Sequence, residues 1–213
     1  MRLRTAIGVA LALGAVAPAN ALALNVFDAT SLKDVFPAID SRPTYNPAGS
    51  DALATQIRAG APADVFASAN MALPTALYRE HLCTKPVVFA TNSLVAITST
   101  ANPTHVRSVY SLARGARNVT IGSDTVPIGI YTRQTLRKLG IYRSFFAHNT
   151  VSDVPNVGAV KTAVESGGAD AGFVYYSDWL ADKTLLKRFR VPAAAQAPVR
   201  YGICIVRRTG ADT

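Results

Sequence analysis

The alternation of strand and helix signals constrains the fold of this chain more than any other feature of its sequence. Apolar runs at residues 22–27 (LALNVF), 118–122 (NVTIG) and 171–175 (AGFVY) are each typical of a strand, and each leads through a short turn into a helical stretch. Parallel strands are joined by crossover helices, so this alternation indicates an α/β protein. We expect its strands to be mostly parallel.

Several helices are marked by apolar stripes and by glycines at their ends. Residues 51–60 (DALATQIRAG) and 132–140 (TRQTLRKLG) both end in glycine, the residue that most often closes a helix. A helix is also expected over residues 32–39 (LKDVFPAI), directly after the first strand. The valines within residues 154–170 fall on one stripe and predict another helix.

The first 23 residues have the pattern of a secretory signal peptide. Arg2 and Arg4 precede an apolar run from Ala6 to Ala17, and small residues provide a cleavage site after Ala23. The apolar run is shorter than the ~20 residues that a membrane-spanning helix needs. We therefore expect the mature chain to be periplasmic, which argues against nucleic acid as its partner.

Charge and cysteine content leave some questions open. The formal net charge is +9, and a basic surface either steers anions toward a cleft or has no role in binding. Cys83 and Cys204 would either pair in an oxidising compartment or stay free. We expect no metal site on them, because His81 alone lies near either cysteine at ligand spacing.

Four turns place small or hydroxyl-bearing residues at the start of a helix. They are residues 28–32 (DATSL), 48–53 (AGSDAL), 126–131 (VPIGIY) and 156–160 (NVGAV). A helix start exposes unpaired N–H groups and a partial positive charge, and in α/β sheets such turns lie at the ligand-binding edge. Together they predict an anion site. In VPIGIY, proline suits the first helical turn, and glycine lets the backbone approach either a ligand or another strand.

Five segments, in order, resemble the periplasmic molybdate-binding proteins of the ModA family, which are soluble receptors of ABC transporters. The segments are FDATSLKDVF, YNPAGSDALATQIRAGAPADVFASA, NSLVAI, VPIGIYTRQTLRKLG and NVGAVKTAVESGGADAGFVYYSD. The resemblance implies the type II periplasmic binding protein fold, with two lobes, mixed sheets, helices on both faces and a ligand cleft between the lobes. One lobe would contain residues 24–94 and 199–213, and the other residues 95–198.

The resemblance also implies which residues bind a tetrahedral oxyanion. Ser31 and Ser50 would donate hydroxyl and backbone hydrogen bonds from one lobe. Ile128 and Val157 would donate backbone N–H groups from the other lobe, and the hydroxyl of Tyr175 would complete the site. The implied ligand is molybdate or tungstate, with no cofactor, no catalytic residue and no protein ligand to molybdenum itself. The implied partner is an inner-membrane ABC permease, and we expect a monomer.

Asp28 departs from the family pattern in the first of these turns. It lies three residues before Ser31, where the family more commonly has a small residue. A carboxylate facing the cleft would repel a dianion, or would accept a proton from an anion such as hydrogen phosphate. We expect instead that Asp28 points outward or caps the following helix.

Two alternative functions stay open. A receptor for sulfate or phosphate would share the fold and the chemistry of the helix termini. A secreted serine hydrolase would use Ser31 or Ser50, but it needs a general base. The three histidines stand among loop-like polar residues and outside any triad motif; they are His81, His105 and His148. We therefore expect a binding protein and not an enzyme.

Overall fold

The computed structural model describes residues 24–207 and folds them into two lobes, each built on a five-stranded sheet. From edge to edge, the first sheet consists of β2 (Thr44–Ala48), β1 (Asn25–Ala29), β3 (Val65–Ser68), β10 (Val199–Ile205) and β4 (Val87–Asn92). The second consists of β7 (Thr150–Val154), β6 (Asn118–Gly122), β8 (Ala171–Tyr175), β5 (Leu94–Ser99) and β9 (Leu186–Arg190). The predicted signal peptide lies outside the described residues.

Seven α-helices and three short 3-10 turns connect the strands of the described chain. The helices are α1 (Val35–Ile39), α2 (Ser50–Arg58), α3 (Ala72–Arg79), α4 (Pro127–Lys138), α5 (Tyr142–His148), α6 (Val157–Glu165) and α7 (Tyr176–Ala181). The 3-10 turns are Thr30–Leu32, Val109–Ala113 and Ala193–Ala195. Within residues 24–207, no helix has the length and apolar character that crossing a membrane requires.

Strand direction differs from the sequence prediction of mostly parallel strands. Strand β1 is parallel to β2 and β3, and β6 is parallel to β7 and β8. Strand β10 is antiparallel to β3 and β4, and β5 is antiparallel to β8 and β9. Both β5 and β10 enter their sheet from the other lobe and not through a crossover helix. Because of this route, they run antiparallel to the strands beside them. Each sheet is therefore mixed.

The predicted helix limits hold where glycine ends the helix. Gly60 follows α2 with φ of 84°, and Gly140 follows α4 with φ of 71°, both in the left-handed region that favours glycine. The helix expected over residues 32–39 is instead a 3-10 turn followed by the short α1. Pro37 explains the break, because it lacks the N–H that a longer helix would need to bond the carbonyl of Lys33.

One hydrophobic core lies inside the first lobe, where α2 and α3 cover one face of the sheet. Phe27 and Phe66 of the sheet pack there with Leu53 of α2. Cys83 and Cys204 are buried in the same core as free thiols, and their side chains hydrogen-bond each other. The two cysteines are therefore neighbours in space although they are far apart in sequence.

A second core fills the other lobe and continues across the cleft. Besides residues of β5, β6 and β8 it includes Ala29, Ala67 and Tyr201 of the first lobe. The chain passes between the sheets twice, from β4 to β5 and from β9 to β10. The two lobes are thus packed together around the site described below. The lobe limits predicted at residues 94/95 and 198/199 stay a prediction.

Candidate functional site

A small cavity of about 20 Å³ lies between the two lobes. The residues that line it are Ala29, Thr30, Ser31, Ala48, Gly49, Ser50, Ala69, Val126, Pro127, Ile128, Asn156, Val157 and Tyr175. All five residues named from the sequence are among them: Ser31, Ser50, Ile128, Val157 and Tyr175. Pockets for drug-sized ligands measure ~300–1,000 Å³, so this cavity is far too small for such a ligand.

Three α-helices begin at the cavity wall. Helices α2 and α4 are preceded by Gly49 and Val126, and neither residue places a side-chain cap on its helix. Helix α6 has Asn156 as its N-cap, and the side chain accepts from the N–H of Ala159. The first N–H groups of a helix have no intrahelical acceptor. Three sets of donors and three positive dipole ends therefore converge on one small volume.

The Pro-x-Gly corner of VPIGIY has two separate functions. Pro127 is the first residue of α4, as expected, and Ile128 follows it at the cavity. A Cβ on Gly129 would lie 1.8 Å from the carbonyl oxygen of Ser123 and 2.3 Å from that of Gly122. The glycine therefore lets the helix approach the end of β6. It does not itself line the cavity, whereas the adjacent Ile128 does.

The hydroxyl groups of Ser50 and Tyr175 at the cavity can each donate a hydrogen bond. Ser50 Oγ accepts a 3.1 Å hydrogen bond from the N–H of Ala69, so its own proton is free to donate elsewhere. Tyr175 is 1% exposed, and its hydroxyl has no hydrogen-bond partner among the described residues. Burial raises the pKa of Tyr175 well above its usual value, so the phenol stays protonated. A buried hydroxyl without a partner is a costly arrangement unless something occupies the cavity.

Ser31 is oriented by residues that the sequence did not reveal. Its Oγ lies 2.9 Å from the hydroxyl oxygen of Tyr201. Asn92 Nδ2 donates to that same Tyr201 oxygen at 3.4 Å and to Ser177 Oγ in the other lobe at 2.8 Å. Tyr201 accepts from Asn92, and its own proton is available to Ser31. When the phenol donates in this way, the Ser31 proton is free for the cavity. Asn92 begins the NSLVAI segment, but neither that segment nor the sequence around Tyr201 indicates a contact with Ser31, since only the folded chain brings these residues together.

The expectation for Asp28 is wrong, because the residue neither points outward nor caps a helix. Strand β1 continues through Ala29, so Asp28 is a strand residue with no exposed surface, and it is absent from the cavity lining. Neither carboxylate oxygen has a partner with hydrogen-bond geometry. Burial raises the pKa of Asp28 to about 6, although the backbone N–H groups of Asn46 and Asp28 partly oppose the shift. The carboxylate is therefore a buried group beside the site and does not face the ligand.

The donor set is neutral. Among the described residues that line the cavity, none carries an acidic or basic side chain, and the positive potential comes from helix termini. Within residues 24–207, no group of three His, Cys, Asp or Glu side chains is placed to hold a metal ion. Such a lining can solvate an anion that only accepts hydrogen bonds. Among the described residues of the lining, no histidine or carboxylate is present to act as a general base.

Other surfaces fit the predicted chemistry less well. A wider groove of about 770 Å³ includes Arg188, Arg190 and Tyr176 and contains none of the five predicted residues. The histidines considered for a hydrolase are all exposed, and none lines the interlobe cavity. The site between the lobes is therefore the candidate.

Comparison with known proteins agrees with this location. The sequence profile described as "Bacterial extracellular solute-binding protein" matches residues 24–213. The molybdate-binding protein ModA of Mycobacterium tuberculosis (strain ATCC 25618 / H37Rv) is 37% identical over 200 residues, covering 89% of this chain and 75% of the relative. This chain belongs to the ModA family. ModA of Escherichia coli (strain K12) is 32% identical over 173 residues, covering 75% of this chain and 64% of that relative.

Solved structures show the same fold. The periplasmic molybdate-binding protein of Azotobacter vinelandii superposes with a TM-score of 0.76 at 25% identity, covering 88% of this ModA-family chain and 87% of that one. The sulfate-binding protein SubI of Mycobacterium tuberculosis H37Rv gives a TM-score of 0.73 at 12% identity, with coverages of 88% and 77%. At this low identity, the similarity to SubI shows only a shared fold. The predicted two-lobed periplasmic binding protein fold is confirmed, and the family consists of binding proteins and not enzymes.

Proposed function

We propose that this ModA-family protein is a periplasmic receptor that binds molybdate between its lobes and delivers it to an ABC importer in the inner membrane. The observation that carries the proposal is the buried, unpartnered hydroxyl of Tyr175 at a small cavity where three helices begin. Its relatives in two bacteria carry the name molybdate-binding protein ModA. We propose a monomer, because one chain supplies both walls of the site.

The proposed contacts follow from the chemistry of the ion. Molybdate is a tetrahedral dianion at neutral pH and accepts hydrogen bonds without donating any. In the proposed complex, Ser31 and Ser50 donate hydroxyl and backbone bonds from the first lobe. Ile128 and Val157 donate backbone N–H groups from the second lobe, and Tyr175 donates its phenol proton. Neutral donors and helix dipoles suffice for such an ion.

Tungstate is the second ligand that we propose, since it has the same charge and tetrahedral shape. Sulfate has the same charge but is smaller, so it would leave fixed donors on opposite lobes at longer distances. Hydrogen phosphate carries a proton and requires an acceptor. No carboxylate lines the cavity, and Asn156 Oδ1 already accepts from Ala159. Both alternative oxyanions are therefore disfavoured by this lining.

Isothermal titration calorimetry of the mature chain tests the proposal directly. Sodium molybdate and sodium tungstate should each bind one ion per chain, and sodium sulfate and sodium phosphate should bind far more weakly. Tyr175→Phe, which deletes one donor and keeps the ring, should weaken molybdate binding. Equal heats for sulfate and molybdate in a competition titration would overturn the assignment of the ligand. Stimulation of the importer's ATPase by the loaded receptor in proteoliposomes tests delivery.

A further inference from the structure

Gly49 lies at a close approach between the two lobes. It precedes α2 with φ of −60° and ψ of 133°, a conformation that any residue adopts. Backbone conformation therefore does not require glycine here. A Cβ at this position would lie 2.5 Å from the carbonyl oxygen of Pro155 in the other lobe. A second short approach, 2.9 Å to Asp51 Oδ1, involves the end of a flexible side chain. The rigid obstacle is the backbone across the cleft.

Gly158 repeats this relationship from the opposite lobe. It is the second residue of α6, a helical position where alanine is intrinsically better than glycine. A Cβ there would lie 2.8 Å from Thr30 Cγ2 in the 3-10 turn of the first lobe. Thr30 lines the cavity, and Gly158 follows Val157, which does the same. Both glycines thus stand beside the candidate site, one on each lobe.

A hydrogen bond crosses the same seam. Thr125 Oγ1, just before α4 of the second lobe, donates to Asp51 Oδ2 in the first turn of α2 at 2.8 Å. Asp51 and Thr125 each lie one residue from the cavity-lining Ser50 and Val126. The lobes are therefore in direct contact around the cavity, through two glycine approaches and one side-chain bond.

We propose that Gly49 and Gly158 are the spacers that set how closely the lobes shut, and so determine the affinity of the site for a compact oxyanion. A methyl group at either position wedges the lobes apart, because from Gly49 it would meet the carbonyl oxygen of Pro155 and from Gly158 the β-branched side chain of Thr30, each in the opposite lobe. The donors of the two lobes then no longer reach one small ion together. The part of this inference that concerns affinity rests on the proposed function, whereas the part that concerns closure does not.

Closure is measured without any ligand by cross-linking two introduced cysteines. Asp51→Cys and Thr125→Cys place thiols where the lobes meet, and dibromobimane becomes fluorescent when it bridges nearby thiols. We expect Gly49→Ala or Gly158→Ala in this background to slow bridging by about tenfold or more, as overpacking costs would predict. Gly168→Ala is the matched control, since its Cβ would have only ordinary contacts at 3.5 Å. The wild-type chain, which contains only Cys83 and Cys204, gives the background fluorescence.

Binding is then measured on the single glycine variants with sodium molybdate. Gly49→Ala and Gly158→Ala should each bind at least about tenfold more weakly than the wild type, mainly through faster dissociation, while Gly168→Ala binds normally. Unchanged bridging rates in both variants would overturn the spacer proposal, whatever the ligand proves to be. Slower bridging in a chain whose wild type does not bind molybdate would uphold the spacers and overturn the proposed function. Ligand-free thermal unfolding checks that both variants fold.

Discussion

Tyr201 Oη lies 2.9 Å from Ser31 Oγ, and this hydrogen bond restrains the orientation of the Ser31 hydroxyl. The two residues are 170 positions apart in sequence but belong to the same lobe, on β10 and on the turn that follows β1. Asn92 donates to the tyrosine oxygen, and either hydroxyl of the Tyr201–Ser31 pair can donate to the other. When Tyr201 donates, the Ser31 proton is left for a bound anion. The orientation of a ligand donor thus depends on a residue absent from the cavity lining.

Tyr201→Phe should weaken molybdate binding without removing any proposed ligand contact. Loss of the phenol frees Ser31 to rotate, and we expect a loss of ~0.5–1.5 kcal/mol, or about two- to tenfold in affinity. Titration calorimetry measures the change. Tyr110→Phe is the control, because Tyr110 is 48% exposed and distant from the cavity lining. Equal affinities for the two variants would show that Ser31 needs no orienting partner.

Ser50→Ala should have a larger effect, since it deletes a proposed donor to the ion. An unmet anion oxygen in a desolvated cleft is expected to cost ~1.5–3 kcal/mol, on the order of ten- to a hundredfold in affinity. Ser166→Ala is a matched serine deletion on the exposed surface. Unchanged molybdate binding by Ser50→Ala, measured by calorimetry, would exclude Ser50 from the binding site.

Ile128 separates recognition by the backbone from recognition by the side chain. Its side chain is 2% exposed and packs in the core, so Ile128→Val keeps both the donor and most of the packing. We expect Ile128→Val to bind molybdate almost normally. Ile128→Pro removes the N–H at a first-turn position that tolerates proline, and it should abolish binding.

Circular dichroism and thermal unfolding provide the control for the Ile128 variants. The proline variant must retain its helical signal for its binding result to count, because Pro127 already precedes it in α4. If a folded Ile128→Pro protein bound molybdate with wild-type affinity, the Pro-x-Gly corner of VPIGIY would have only a structural role.

Asp28 should make stability fall as pH rises between about 4 and 6. Its folded pKa is about 6, above the ordinary value of 3.8, so the native state holds a proton that the unfolded chain has lost. The contribution of Asp28 to the free energy of unfolding is therefore greatest below about pH 4. It is lost as the pH rises through the folded pKa of about 6. The shift corresponds to about 3 kcal/mol.

Urea unfolding of the wild type and Asp28→Asn at pH 4.5, 6 and 7.5 tests this effect. The variant should gain stability relative to the wild type as pH rises, because the amide carries no charge to bury. Burial also raises the pKa of Asp178, to about 7, so the difference between the two proteins is the relevant quantity. A difference that does not change with pH would mean that Asp28 titrates normally.

Local signals predicted the helix starts at the site more reliably than they predicted the strands. Glycine and serine at the start of α2, and proline at the start of α4, are chemical signals that act within one turn, and the structure places both helix starts as expected. The direction of β5 and β10 depends on the route of the chain between lobes, which no local pattern encodes. Helices α3 and α5 and strands β7 and β9 were not predicted from the sequence.

In the candidate site, too, local patterns indicated some residues, whereas contacts between distant segments could not be predicted. Ser31, Ser50, Ile128, Val157 and Tyr175 line one cavity, and their role in binding stays a prediction. Asn156 was not named as a site residue, although the sequence could have indicated it, because an asparagine directly before a helix is a typical N-cap. Tyr201 and Asn92 were not detectable, since their effect on Ser31 arises from contacts between distant strands. Asp28 was misplaced because the sequence did not show that β1 continues past it.

The position of β10 inside the first sheet dictates an order of folding. Strand β10 lies between β3 and β4, yet it is the last strand of the described residues, so β4 has no neighbour in that sheet until residues 199–205 are available. The whole second lobe is synthesised in between. Contacts that join such distant segments form slowly, because a long loop must close first. In a nascent chain the first sheet therefore stays incomplete until residues 199–205 emerge, so β4 pairs only after the second lobe has been synthesised.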